Sequence, residues 1–159
     1  MTKKEMCCPK FDPALYEKKE FSWKNKLFIK DTVRAIMHVP INMGLVIQKM
    51  QKKINVADAN VPENEFVLLS LEESPWKSEQ FIPVTKEIAD ADNVKISGKF
   101  LTKVFEGSYK DAPKWYTEMN NFVKSKGTEA KKIYSYYTTC PKCAKEYGKN
   151  YVVLFAQVS

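Results

Sequence analysis

From Phe28 onward the apolar positions fall into two periodicities that alternate along the chain. "FIKDTVRAIMHV" is rich in β-branched residues and reads as a strand. "INMGLVIQKMQKKINVADA" follows it, with Ile41, Leu45, Met50 and Ile54 close to helical spacing, and reads as a helix. "EFVLLSL" and "QFIPVTKEI" then read as two short strands separated by the turn-like "EESPWKSE". The same grammar returns further on. "KFLTKVFEG" is a strand closing on Gly107, and "YKDAPKWYTEMNNFVKSKG" is a helix with Asp111 as N-cap and Gly127 just past its end. Trp115, Met119, Phe122 and Val123 share one face of that helix. "KKIYSYYTT" and "NYVVLFAQV" are two more strands, on either side of the loop "CPKCAKEYGK".

Strand–helix–strand–strand therefore occurs twice, at an offset near 68 that carries Met37 to Phe105, Asn42 to Lys110, Phe66 to Tyr134 and Pro83 to Tyr151. Two copies are too few for a solenoid. The expected fold is α+β: two modules related by pseudo-two-fold duplication, with antiparallel sheets and two main helices flanking a cleft. Module one spans about 28–90 and module two about 95–159, within a single domain over 28–159. Residues 1–27 are expected to form an N-terminal strap, with a short helix capped by Asp12 and opened by Pro13. Phe11, Leu15, Phe21 and Trp23 would pack that strap onto the body.

Composition narrows the function. The 159 residues are 44% hydrophobic and 28% charged, a globular and not a disordered balance. No apolar run approaches the ~18 residues of a membrane helix, so no membrane partner is expected. The N-terminus lacks the apolar stretch of a secretory signal, and the expected compartment is the cytoplasm. The net charge is +7, from 26 basic and 19 acidic side chains. The lysines alternate with glutamates, as in "EKKE" and "KSEQ", and Arg34 is the sole arginine. Guanine readout leans on arginine forks, so sequence-specific nucleic-acid binding is not expected and the charge reads as solubility.

The stretch "TKVFEGSYKDAPKWYTEMNNFVKSKG" and the "YSYYTTCP…NYVVLFAQV" hairpin together resemble the gyrase-inhibitor-like (GyrI-like) small-molecule-binding family. The resemblance covers roughly Phe28 to Val158 and is architectural. It implies two strand–helix–strand–strand modules around an aromatic-lined cleft for flat, often cationic or lipophilic organic molecules. Members serve as effector-binding domains of transcription regulators, as stand-alone binders that protect against toxins, and in some cases as hydrolases of reactive cyclopropane-containing compounds. Two departures matter. No DNA-binding motif is read in these residues, so the expectation is a stand-alone binder. Many members carry a glutamate in the final strand that pairs with cationic ligands, whereas "NYVVLFAQV" holds no acid.

Three groups of residues carry the candidate chemistry. The first is acid–base. The offset places His38, the single histidine, opposite Glu106, each at the end of a strand entering its helix. Burial between Phe105 and Tyr109 would raise the carboxyl pKa and suit Glu106 to general acid or base work, with His38 activating a water. The alternative is a satisfied core histidine and a partly exposed glutamate. The second group is aromatic: Trp76, Tyr109, Trp115, Tyr116, Tyr134, Tyr136, Tyr137, Tyr151 and Phe155 lie at strand ends, on the second helix or on the closing strands. Rings with a polar tip suit a pocket that stacks flat ligands, and they suit a sheet core equally.

The third group is the cysteines. Cys140-Pro141-Lys142-Cys143 has zinc-knuckle spacing, and a closed site needs two more ligands, for which Cys7 and Cys8 are the remaining thiols. Free thiols at a hairpin tip fit the same residues. A redox pair fits less well, because no helix follows the motif closely enough to lower a thiol pKa. The leading expectation is a binder of a small organic molecule that requires no cofactor, with structural zinc the one candidate metal. A hydrolase using Glu106 and His38 on the same scaffold is the alternative. A zinc-stapled interaction module is the third reading. An exposed edge strand offers a route to oligomers.

Overall fold

A computed structural model describes residues 13–37, 39–62, 65–107, 111–137 and 151–159, with the side chains of 39, 40, 73 and 137 also left aside. His38, Tyr109 and all four cysteines lie outside the described residues, as does Asp12, the expected cap of the strap helix. The architecture is α+β. A short 3-10 helix at Pro13–Leu15 leads into strands β1 (Lys19–Ile36) and β2 (Val39–Pro40), helix α1 (Met43–Ala57), and strands β3 (Leu69–Ser74) and β4 (Lys77–Pro83). Then come β5 (Asp92–Glu106), helix α2 (Ala112–Ser125), β6 (Lys132–Tyr137) and β7 (Tyr151–Gln157). The chain divides into a central unit, Ser22–Lys99, and a terminal unit formed by Met1–Phe21 with Phe100–Ser159.

In the central unit the strands run in the order β2-β1-β4-β3, all antiparallel. Ile29 opposite Ile82 fixes the register of β1 against β4. A slip of one residue would turn every core side chain of a strand to the other face, so such apolar pairs specify the ladder. α1 lays Met50 and Ile54, with Val46 and Ile47 partly buried, onto Ile29, Ile82, Val84 and Ile88. Of the apolar positions read at helical spacing, Met50 and Ile54 are buried, whereas Ile41, which precedes α1, and Leu45 are exposed; Val46 and Ile47 turn towards the core instead. The expected turn "EESPWKSE" is also shorter than read: β3 runs to Ser74 and β4 starts at Lys77. The polar residues Glu72 and Ser78 are partners in the ladder.

In the terminal unit the order is β6-β7-β5, again antiparallel. α2 buries Trp115, Met119 and Val123 against Leu101, Phe105, Val152, Leu154 and Ala156, as its helical spacing predicts. Each such side chain contributes roughly 1.5–3 kcal/mol relative to exposure. The helix has Pro113 in its first turn, where a missing N–H is harmless. It is followed by Gly127 at φ +78°, the left-handed conformation that glycine adopts freely.

Both units thus pass from strand to helix to two strands, and in both the last strand pairs with the first. The constant offset does not hold. The last residues of β1 and β5 are Ile36 and Glu106, 70 apart, but β3 starts at Leu69 and β6 at Lys132, 63 apart, while β4 starts at Lys77 and β7 at Tyr151, 74 apart. Strand lengths and loops differ between the units, so element order is shared and residue-by-residue equivalence is not. The strap reading changes as well. β1 begins at Lys19, which makes Phe21 and Trp23 strand residues, and Leu15 is exposed. Tyr16 is the buried anchor instead, its carbonyl accepting a 2.6 Å hydrogen bond from the Thr102 hydroxyl.

Candidate functional site

Within the terminal unit, β5 ends at Glu106 and the chain turns at Gly107 before α2 begins. Gly107 has φ +136°, a backbone conformation that only glycine adopts without strain. A Cβ placed there would meet Asp111 Oδ2 at 3.5 Å and Trp115 Cζ2 at 3.8 Å. Those are ordinary contact distances, so it is the backbone conformation of Gly107 that turns the strand end towards the helix start. Beside this turn lies a cleft of about 350 Å³ lined by Lys103, Val104, Phe105, Glu106, Asp111, Lys114, Trp115 and Glu118. The helical members fall at i, i+3, i+4 and i+7, one stripe along α2.

The rings of Phe105 and Trp115 stack at 5.9 Å with planes 27° apart, and both are buried, so the stack backs the cleft from the core side. The Lys103 ammonium sits 4.8 Å from the Phe105 ring centroid, a cation–π contact. Three carboxylates, Glu106, Asp111 and Glu118, share the cleft with two lysines, so acid is in excess. Asp111 occupies the N-cap position of α2, but its side chain makes no capping hydrogen bond. Glu106 is exposed, and the burial expected to convert it into a neutral acid is not there. Its partner across the ladder is Tyr151, the first residue of β7.

Of the expected aromatic lining, Trp115 borders this cleft, Tyr109 and the Tyr137 side chain lie outside the described residues, and Trp76, Tyr116, Tyr134, Tyr136 and Phe155 are placed elsewhere. Trp76 is exposed at the β3–β4 turn of the central unit. Tyr116 is half-buried on α2, with its hydroxyl 2.6 Å from Ser135 Oγ. Burial pushes the Tyr116 phenol up, and the Ser135 hydrogen bond works against that shift. Tyr134, Tyr136 and Phe155 are buried, and alternation along β7 puts Phe155 on the sheet face opposite the α2 core. There Tyr134 packs against Phe100, Tyr136 meets Tyr16 edge-on at 6.0 Å, and Phe155 contacts Tyr16 and Phe21. These rings fill one another's spaces. Burial also pushes the Tyr16 phenol up.

Sequence reasoning assigned Asp111 to capping alone and passed over Lys103, Lys114 and Glu118. The signal that locates them is the charged stripe at helical spacing around Trp115. The central unit holds a second charged group: Lys30 bridges Glu79 at 2.9 Å and Asp92 at 3.8 Å, an ion pair on β1, β4 and β5. Among the described residues no three His, Cys, Asp or Glu side chains are arranged to hold a metal ion.

The chain matches the family model described as "Bacterial hydrolase" over residues 1–158, and it belongs to that family. No curated protein matches it. Solved structures with a similar fold include an uncharacterized conserved protein from Listeria innocua, with a TM-score of 0.66 and 11% identity over 90% of this chain and 92% of that one. A hydrolase from Listeria innocua gives a TM-score of 0.65 at 11% identity, covering 90% and 92% of the two chains. SAV2435 bound to tetraphenylphosphonium gives 0.50 at 16% identity, covering 90% and 94%. At these identities the likeness is one of fold.

Proposed function

We propose that this member of the bacterial hydrolase family binds lipophilic organic cations in the cleft between the end of β5 and the first turns of α2. The observation that carries the reading is the grouping of Glu106, Asp111 and Glu118 around the Phe105–Trp115 stack. The carboxylates supply charge beside the edge of the buried Phe105–Trp115 stack, a combination that favours a lipophilic cation over a neutral molecule. The final strand holds no glutamate for this purpose, and here acids from β5 and α2 take that role. The GyrI-like resemblance and the tetraphenylphosphonium bound by SAV2435 support the same class of ligand. The test is titration with tetraphenylphosphonium. The folded protein gains thermal stability with ligand concentration, and Glu106→Gln reduces that gain.

Hydrolysis is the second reading, favoured by the family to which the chain belongs. In this reading Glu106, an exposed carboxylate at the cleft, accepts a proton from water as the water oxygen forms a bond to an electrophilic carbon of the ligand. The bond to the leaving group breaks in the same step and its electron pair departs with that group. His38, outside the described residues, is the second candidate base. Turnover of an activated electrophile that falls in both Glu106→Gln and His38→Gln, with binding retained, supports this reading. Undiminished turnover in both variants removes it.

A further inference from the structure

The central unit carries a corner whose chemistry the cleft does not use. Ile36, Met37, Ile41, Leu45 and Trp76 are large apolar side chains, and all are exposed, Met37 to 67%, Leu45 to 73% and Trp76 to 56%. They come from three elements tied at one junction. The Ala35 amide donates to the Trp76 carbonyl, the Ile41 amide donates to the Arg34 carbonyl, and the Arg34 amide donates to Asn42 Oδ1 at the start of α1. A patch of this kind, concentrated at one end of a unit, is the informative sort of exposure.

A second observation marks the same corner. Ile36 pairs with Val39, so Met37 stands at the turn of the β1–β2 hairpin, with φ +50°. Glycine and asparagine adopt that conformation at lower cost, and tight hairpin turns favour them. The chain instead holds a bulky apolar residue there and leaves it in solvent.

The charges around the patch choose the occupant. α1 holds Lys49, Lys52 and Lys53 and no acidic residue, and its solvent-facing stripe reads Leu45, Lys49, Lys52, Val56. Arg34 and Lys77 are register partners beside Trp76. Among the described side chains of β3, Glu72 is the exposed acid, outnumbered by these cations. Apolar tips, a tryptophan and flanking lysines are what an anionic bilayer surface recognises, the apolar groups entering the interface while the ammonium groups meet the headgroups. We infer that this corner docks the protein onto anionic lipid membranes, with Met37 and Trp76 inserting and Arg34, Lys49, Lys52 and Lys77 contacting phosphate and carboxylate headgroups. The contact is interfacial. Among the described residues no helix is long and apolar enough to cross a membrane.

The test is sedimentation of the full chain with vesicles of phosphatidylcholine alone and of phosphatidylcholine with about one-third phosphatidylserine. The protein is expected to pellet with the anionic vesicles, to stay in solution with the neutral ones, and to be released by salt. Met37→Asn is expected to weaken partitioning about tenfold while the melting temperature holds or rises, because it removes the apolar tip and relaxes the turn. Trp76→Ser is expected to weaken partitioning similarly and to abolish a lipid-induced blue shift of tryptophan emission. Lys49→Gln with Lys52→Gln is expected to weaken it by more than about tenfold. Equal pelleting with both vesicle types, pelleting unchanged by Met37→Asn and Trp76→Ser, or no pelleting at all would overturn the inference. Self-association that shields Trp76 without lipid would assign the corner to a second copy instead.

Discussion

Trp115 lies over Phe105 with ring centroids 5.9 Å apart, so a residue of the first turns of α2 is stacked on the penultimate residue of β5. The stack joins the helix to the sheet and backs the cleft at once. Trp115→Ala is expected to destabilise the protein by about 3–5 kcal/mol, the range for deleting a buried aromatic. Trp115→Phe keeps most of the packing and is expected to retain a cooperative transition in urea unfolding while binding lipophilic cations more weakly.

Gly107 is needed for its backbone and not for space. A Cβ there would meet its neighbours at ordinary contact distances, so the cost of Gly107→Ala comes from φ +136°. The expected loss is about 1–3 kcal/mol, read as a lower denaturation midpoint at an unchanged slope.

Asp111 separates capping from ligand binding. Because its side chain makes no cap hydrogen bond, Asp111→Asn and Asp111→Ala are expected to be equally stable, within about 0.5 kcal/mol, whereas a capping role would set them about 1 kcal/mol apart. Both are expected to weaken tetraphenylphosphonium binding severalfold. Calorimetric titration beside thermal unfolding reads both quantities.

Tyr116 gives an alkaline prediction. Its phenol titrates above the ordinary 10.0 in the folded state because of burial, while in the unfolded chain it titrates near that value. Between the two the native state holds the extra proton, so stability is complete below about pH 10 and falls as pH rises towards the folded value. Tyr116→Phe is expected to cost about 1–2 kcal/mol at neutral pH, through the orphaned Ser135 hydroxyl. Above about pH 10 it is expected to lose less stability than the parent, as urea titrations at successive pH values would show.

The fold was legible where one period dominated. Trp115, Met119, Phe122 and Val123 repeat on a single side of α2, and all four belong to or pack against its core. In α1 the spacing found the helix but not its inward face, because Leu45 and Val56 are apolar and yet point to solvent while Met50 and Ile54 are buried. The two-fold order of elements was readable, but the offset of 68 was not a structural constant, since loops and strand starts shift between the units. In the proposed site, the sequence singles out Glu106 at the end of β5 and Trp115 on α2. Asp111, Lys114 and Glu118 are not placed there by the sequence, because charges on a helix look like a solvated face until the cleft beside them is seen. Tyr134, Tyr136 and Phe155 are packed against other rings on the sheet face opposite α2, a placement that the sequence does not reveal.

The most direct test of the cleft is calorimetric titration of tetraphenylphosphonium into the wild-type protein and into Glu106→Gln. Glu106 is exposed, so the variant should unfold at the wild-type temperature without ligand. Saturable binding to the wild type, weakened about fivefold in Glu106→Gln, is the result the account predicts. Equal affinity in the two proteins, or no binding by either, would contradict it.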